Sequence, residues 1–322
     1  MNSKRTGLLS LLCILPLLAS CSINKMAINA VSNALTGTGS ANAFMTDNDP
    51  ELVGDALPFA IKMYETLLSQ NPDHEGLMLT TGSLFVMYAN AFVQGPAELL
   101  DPVNYYYERT AANERAKNLY LRGNAILNTA LDKKYPGFGS AVVDDGSLDN
   151  LLKKCRKEDV PLLYWAAAGG IAAYSLDVFD FELGYQIPAW SAMLARAYEL
   201  DPDFNNGAID ELYITLYAAL PENLGGDKDK VKIHFQHALE RSNYQSAGAY
   251  VSYAKSCIPS GDYEGDYDAF VENLEKALAI DPDADPSSRL LNVISQRKAR
   301  YLLDTRSEYF STDDYYDGYY TF

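Results

Sequence analysis

Apolar residues recur along this chain at spacings of three and four, the pattern of one buried face on an amphipathic helix. The clearest run precedes Pro282 and consists of Tyr267, Phe270, Val271, Leu274, Ala277 and Leu278. This helix is predicted to end at Asp281-Pro282, because a proline disfavours helical geometry in the residue before it. No segment alternates convincingly between apolar and polar residues with a period of two. The pattern therefore predicts an all-α protein.

The same periodicity predicts twelve helices joined by short polar or proline-containing connections. The small, polar stretch Gly37–Asn48 is predicted to be a linker after the first helix. The predicted helices are 23–35, 51–70, 76–93, 103–132, 146–156, 160–177, 182–199, 206–219, 228–242, 246–257, 264–280 and 286–308.

One helix ending occurs several times, which makes a repeat architecture the leading hypothesis. Each full copy has a large residue, a small or apolar residue three positions later, and a proline-containing turn. The full copies are Tyr64 to Pro72, Leu194 to Pro202 and Leu274 to Pro282, and weaker copies end at Leu131 and Leu239.

This ending resembles the second helix of the tetratricopeptide repeat, where a large residue fills the gap to the neighbouring helix pair and a small one lets helices approach. The spacing departs from that family, at about 40 residues between the late copies and more than 60 between the early ones. The Trp-Leu-Gly-Tyr pattern of the repeat's first helix is also missing. We therefore expect an irregular α-solenoid or helical stack with embedded tetratricopeptide-like pairs and extra helices between the early units.

The first 21 residues have the order of a secretory signal. Lys4 and Arg5 precede the apolar run Leu8–Leu18, and Leu18-Ala19-Ser20 leads directly into Cys21. A cysteine at this point resembles the lipobox of bacterial lipoproteins, in which the thiol receives a lipid and the new amino terminus is acylated. An ordinary secreted protein with a coincidental cysteine is the alternative.

The signal and the helical pattern together divide the chain into four parts. These are a lipoprotein signal peptide over 1–20, a lipidated N-terminal helix and linker over 21–48, a helical domain over 49–308, and an aromatic and acidic tail over 309–322. Several acyl chains anchor a protein stably, so a second membrane element is not required. The apolar stretch Leu162–Leu176 is too short to span a bilayer and is predicted to be a buried helix.

The chain is acidic, with a net charge of −17, and it is more acidic once Lys4 and Arg5 leave with the signal. Such a chain is a poor partner for nucleic acid or for an anionic membrane surface. Cys155 and Cys257 remain after processing. Export permits a disulfide between them, whereas helical proteins also bury unpaired cysteines readily, and both alternatives stay open.

Candidate chemistry is sparse. His234 and His237 have the spacing of two ligands on one helix, but no third ligand is evident, so no metal or other cofactor is predicted. Asp281, Asp283 and Asp285 alternate like the start of a calcium loop but lack its later Gly and Glu, so they are predicted to cap helices. A hydrolase is disfavoured because no nucleophile arrangement is recognisable and His74 is the only other histidine. We expect no enzyme activity.

Aromatic residues supply the remaining candidates for binding. Tyr105, Tyr106 and Tyr107 stand together, and three consecutive helical residues cannot all face one core. Tyr164 and Trp165 add to this supply. These five residues are the predicted ligand-binding residues, with ordinary packing as the alternative.

Several segments resemble the family of TatT, the helical accessory component associated with tripartite ATP-independent periplasmic (TRAP) transporters. The resemblance rests on the lipobox, on Asn24, Ala27, Asn29 and Ala30 in the first helix, and on the segments Ala56–Pro58, Asn90–Gln94, Arg115–Tyr120 and Leu162–Gly170.

This resemblance implies a periplasmic, lipid-anchored homotrimer with a channel or groove in each subunit. It also implies the periplasmic solute-binding subunit of the transporter as partner and a small, hydrophobic ligand. A tetratricopeptide-type scaffold lipoprotein in envelope or outer-membrane assembly is the alternative function.

Overall fold

The computed structural model is α-helical throughout the part of the chain that it describes. An isolated β-bridge between Ser260 and Tyr263 is the β-structure found in that part. The all-α prediction is therefore confirmed. The signal peptide, Cys21 and the tail beyond Phe310 lie outside the described residues, which are 28–36, 42–143, 146–220, 225–260 and 263–310.

We number the α-helices of these segments in chain order. They are α1 (28–36), α2 (Asn42–Met45), α3 (Pro50–Gln70), α4 (Glu75–Tyr88), α5 (Gly95–Glu98), α6 (Tyr106–Lys134), α7 (Phe138–Val143), α8 (Leu148–Leu152), α9 (Val160–Leu176), α10 (Phe181–Leu200), α11 (Ala208–Ala219), α12 (Lys228–Arg241), α13 (Ala247–Ser256), α14 (Tyr267–Ala279) and α15 (Arg289–Asp304).

The predicted helices are present, but several differ in extent. The predicted linker contains α2, and the sequence pattern missed α7, which is too short to display a helical period. The predicted helix 206–219 starts later because Asn205, Asn206 and Gly207 adopt positive φ angles of 46°, 56° and 95°. The predicted helix 286–308 starts at Arg289 because Pro286 opens a 3₁₀ turn capped by Asp285.

The recurring helix ending has the expected place in the core. Tyr64, Leu194, Ala197, Leu274 and Ala277 are all buried. In two of the copies the helix stops at a residue directly before proline: α3 is capped by Asn71 and α10 by Asp201. α14 stops one residue earlier relative to its proline, at Ala279, and is capped by Ile280.

Each helix packs on its neighbours in chain order, and the last helices return to the first. α4 packs between α3 and α6, α6 packs on α9, and the pairs α11/α12 and α13/α14 follow. α15 then contacts α2 and α3. Leu290 of α15 is fully buried in the cluster that contains Val53, Leu57 and Ile61 of α3. The stack therefore closes on itself.

Polar contacts accompany this closure. Arg289 Nη1 donates a hydrogen bond of 2.8 Å to the carbonyl of Thr46, and Arg297 forms an ion pair with Glu51 at the start of α3. Tyr301 lies on the same helix, with its hydroxyl 3.5 Å from the carbonyl of Leu100 after α5.

Three glycines allow α4, α6 and α9 to approach closely. A Cβ atom on Gly123 of α6 would lie 2.7 Å from the carbonyl oxygen of Gly82 on α4. A Cβ atom on Gly169 of α9 would lie 3.2 Å from the carbonyl oxygen of Tyr120. Because the obstructing atoms belong to the backbone, these positions require glycine.

One described helical segment, Glu75–Glu98, has the length and hydropathy of a membrane span, and 56% of its most apolar window is buried inside the protein. That burial is typical of a core helix. The stretch predicted as a buried helix, Leu162–Leu176, lies within α9 and is largely buried, as expected. Cys155 and Cys257 are both unpaired and buried, which decides between the two alternatives.

Gly123→Ala is expected to destabilise the protein by about 2 kcal/mol, because its methyl group would press on the backbone of α4. For a chain of this size the Tm should fall by about 5 °C, which circular dichroism at 222 nm would measure during heating. The control is Gly184→Ala in α10, where a Cβ atom makes an ordinary 3.4 Å contact with Tyr174. Equal Tm values for the two variants would contradict the requirement for glycine where α6 approaches α4.

Candidate functional site

Glu98, the last residue of α5, meets two lysines from distant parts of the chain. Lys255 of α13 lies with its Nζ 3.4 Å from Glu98 Oε2, and Lys298 of α15 forms a closer ion pair with the same oxygen. Gln94 Nε2 donates a hydrogen bond of 2.8 Å to the other oxygen, Oε1. Three helices that are far apart in sequence therefore share one carboxylate.

A π-helical turn over Ala89–Gln94 places Gln94 for this contact. Such turns interrupt α-helices mainly at functional positions, because the extra residue redirects the side chains that follow. The buried Tyr120 donates a hydrogen bond of 2.6 Å from its hydroxyl to Gln94 Oε1, which leaves the amide nitrogen directed at Glu98. The carboxylate is thus held by an ordered polar network.

The charges of this cluster are both desolvated and in contact with water. Burial would raise the pKa of Glu98, but Lys255 and Lys298 together hold it at about 2. Burial, together with the positive charge of Lys255, lowers the pKa of Lys298. Yet the side chains of Glu98 and Lys298 keep 23% and 25% of their surface exposed. Glu98 and Lys298 are thus largely enclosed by protein atoms while part of each side chain stays open to water.

A second group with the same character lies at Glu211 of α11. Burial raises the pKa of this carboxyl, and Ser246 Oγ donates a hydrogen bond to it. Burial and the neighbouring Glu211 charge raise the pKa of Tyr164. The Tyr164 ring packs against Phe204 with centroids 5.1 Å apart and against Trp165 at the same distance.

α13 connects the two groups. A Cβ atom on Gly248 would lie 2.9 Å from Glu211 Oε2, and Lys255 follows seven residues later on the same helical face. Seven residues of helix span about 10 Å. We call Tyr164, Glu211, Lys255, Glu98 and Lys298 together the inner surface.

The structure divides the five predicted ligand-binding residues between two places. Tyr164 lies on the inner surface, with Trp165 beside it. Tyr105, Tyr106 and Tyr107 are exposed at the start of α6, and Tyr105 precedes the helix. The 2.7 Å hydrogen bond from Asn124 Nδ2 to the carbonyl of Ala166 sets the register between α6 and α9. At 1.5 Å per residue, this register puts Tyr164 about 30 Å from the three tyrosines along α6.

A different aromatic group projects outward between α9 and α10. We call Val178, Phe179, Phe181 and Tyr185 the outer aromatic turn; all four are exposed, Phe181 to 90%. Lys117 of α6 anchors this turn through ion pairs with Asp177 at 2.7 Å and Asp180 at 3.4 Å. Clustered apolar residues on a fixed outer turn are typical of a protein interaction site.

Of the three aspartates considered as a calcium loop, Asp285 acts as a helix cap, as predicted, whereas Asp281 and Asp283 do not. Asp285 Oδ1 accepts a hydrogen bond of 3.0 Å from the backbone of Ser287, and Asp281 Oδ1 accepts one from Asp283. Asp283 itself forms a 2.7 Å ion pair with Arg289.

Sequence comparisons agree with the early resemblance. A family model described as "TAtT: TRAP transporter T-component" matches residues 46–310. A protein of Treponema pallidum (strain Nichols), described only as uncharacterized, is 36% identical over 301 residues. That alignment covers 89% of this chain and 92% of the relative.

Glu98→Gln is expected to destabilise the protein by about 3 kcal/mol, because two lysines would remain enclosed without a counter-charge. Since the pKa of Glu98 is about 2, below its ordinary value of 4.5, its stabilising contribution is complete above about pH 4.5 and is lost as the pH falls toward 2. The difference in Tm between wild type and variant should therefore shrink in acid.

Glu51→Gln is the matched control. It removes a carboxylate that also pairs with α15 but is 68% exposed, so its Tm should change little. If both variants were equally stable at pH 7, Glu98 would not lie in an enclosed space.

Proposed function

The chain belongs to the TRAP transporter T-component family, and from this premise we propose that it docks the transporter's solute-binding subunit and holds a small apolar ligand on its inner surface. Family membership supports an accessory role in tripartite ATP-independent periplasmic transport and a location in the bacterial envelope. This family is one of transport accessory proteins rather than enzymes.

We propose that Cys21 anchors the mature protein to the membrane by lipid on the periplasmic side. The basic start, the apolar run and the small residues before Cys21 support this assignment. Cys21 lies 25 residues before the start of the family match. A Cys21→Ala chain that stayed in the membrane fraction would contradict the anchor.

The observation that supports ligand handling is the polar and aromatic composition of the inner surface. Its Tyr164 end offers aromatic surface from Tyr164, Trp165 and Phe204, whose rings lie 5.1 Å apart in two pairs. Ligand sites are concave and mostly apolar, with a few placed polar groups, and this end has that composition.

The outer aromatic turn supports docking. Interfaces are enriched in aromatic residues, and a rigid turn loses little conformational entropy on binding. We assign this surface to the solute-binding subunit of the transporter. The homotrimer implied by the family resemblance is part of the same proposal. The oligomeric state is tested separately by measuring the mass of the protein in solution.

Tyr164→Ala is expected to reduce the amount of small molecule that remains bound during purification of the full chain in detergent. The reason is the loss of aromatic surface at the apolar end of the inner surface. Mass spectrometry of the denatured protein measures the ligand per chain. Tyr107→Ala, at a side chain 83% exposed, is the matched control and should retain wild-type occupancy.

An equal loss in both tyrosine variants, or no co-purified molecule in wild type, would contradict ligand holding on the inner surface. The family assignment would be untouched by that result. The assembly-scaffold alternative would then become the stronger hypothesis, since a scaffold needs no enclosed ligand.

The double variant Phe179→Ser/Phe181→Ser is expected to weaken binding to the purified solute-binding subunit at least tenfold. Two exposed aromatic anchors would be lost, and a single such anchor commonly contributes about 2 kcal/mol. Titration calorimetry measures the affinity, and light scattering of the variant alone reports its oligomeric state.

Phe59→Ser is the matched control, because Phe59 is 76% exposed on α3 and lies outside the outer aromatic turn. Its affinity should equal that of wild type. Unchanged affinity in the double variant would place the docking surface elsewhere, and a changed mass in solution would show that the turn joins copies of this chain.

A further inference from the structure

Asp210 of α11 lies opposite the two histidines of α12. Its carboxylate is fully buried, and His234 Nδ1 donates a hydrogen bond of 2.7 Å to its Oδ1. His237 Nδ1 lies 3.7 Å from the same oxygen. The i, i+3 spacing places both imidazoles on one face of α12, and α11 supplies the third group that the sequence pattern lacked.

We propose that Asp210, His234 and His237 form a binding site for a divalent transition metal, with zinc the best match. Their three ligand atoms lie within 4.8 Å of one another. Around a tetrahedral zinc ion with bonds of 2.0–2.1 Å, ligand atoms lie about 3.3 Å apart. The two imidazole nitrogens lie 2.7 Å and 3.7 Å from Asp210 Oδ1, on either side of this value, and within 4.8 Å of each other, so rotation of the rings is needed to close the site.

The ligand types select the class of metal. Two imidazole nitrogens and one carboxylate suit zinc, nickel or iron, whereas calcium and magnesium prefer sites made only of oxygen. Three protein ligands leave a fourth position for water or an anion. The His237 side chain is 39% exposed, which gives an ion a path from solvent to that position.

Neighbouring groups orient the ligands. Arg241 Nη1 donates a hydrogen bond of 2.6 Å to Asp210 Oδ2, which leaves Oδ1 facing the histidines. The rings of Tyr213 and Tyr217 stack on His234 with centroids 4.4 Å and 5.6 Å away and fix its plane. Such outer contacts are typical of metal sites, where they set the direction of each ligand.

Two features are expected to lower the affinity of this site for zinc. Zinc takes the place of the proton on His234 Nδ1, and that proton moves to Nε2 of the same ring. The positive charge of Arg241 on the other carboxylate oxygen also opposes a cation. Arg241 also favours an anion in the fourth position, because zinc bound by two neutral imidazoles and one carboxylate keeps a net positive charge.

The test is calorimetric titration of zinc chloride into the full, untagged chain after treatment with a chelator. One saturable site per chain is expected, with a higher Tm in zinc because the ion binds the folded state. Cobalt(II) in the same site should show visible absorption bands of a four-coordinate ion with nitrogen ligands. Absence of saturable zinc binding would overturn the proposal.

His237→Ala should weaken zinc binding more than tenfold, because removal even of a residue that only supports a ligand costs about 10–100-fold. This side chain is partly exposed, so the variant is expected to fold. His74→Ala removes one imidazole at a distant helix cap and should bind zinc like wild type. Equal affinity in the two variants would show adventitious binding and refute the site.

Discussion

The return of α15 to α3 is the contact on which the rest of the structure depends. Leu290 is fully buried among residues of α3 and α4, and burial of one such side chain contributes about 2 kcal/mol. The exposed Arg297–Glu51 pair beside it adds little, because water screens such pairs. Apolar packing therefore closes the stack. Closure in turn brings Lys298 of α15 to Glu98 of α5.

Helix class and helix ends could be predicted because both are local properties. Periodicity identifies a buried face, and the turns at Pro72 and Pro202 follow the ends of α3 and α10, although Pro58 and Pro188 lie inside those helices. Short elements could not be predicted, since the six residues of α7 span less than two turns. The π-helical turn Ala89–Gln94 also could not be predicted from the local sequence, because its residues are as apolar as those of the α-helix it interrupts.

Local sequence predicts even less of the candidate sites, because they combine residues that lie far apart in the chain. Tyr164 can be predicted from its residue type alone. The ion pair between Glu98 and Lys255 cannot be predicted, because 157 residues separate the two in sequence. Asp210 precedes His234 by 24 residues on another helix, and an acid in the first turn of a helix is ordinarily explained by the helix dipole. Only the packing of α11 on α12 shows that this acid is buried and faces two histidines.

The two ends of the inner surface differ in charge, and this difference bears on what they can hold. At one end two lysines face one carboxylate that stays ionised, so the local balance is positive. At the other end burial favours the neutral form of Glu211 beside three aromatic rings. A wholly apolar ligand would gain from the aromatic end and would have to displace water from the lysines. For a ligand held as proposed, the apolar part is therefore expected beside Tyr164 and a polar part near Lys298.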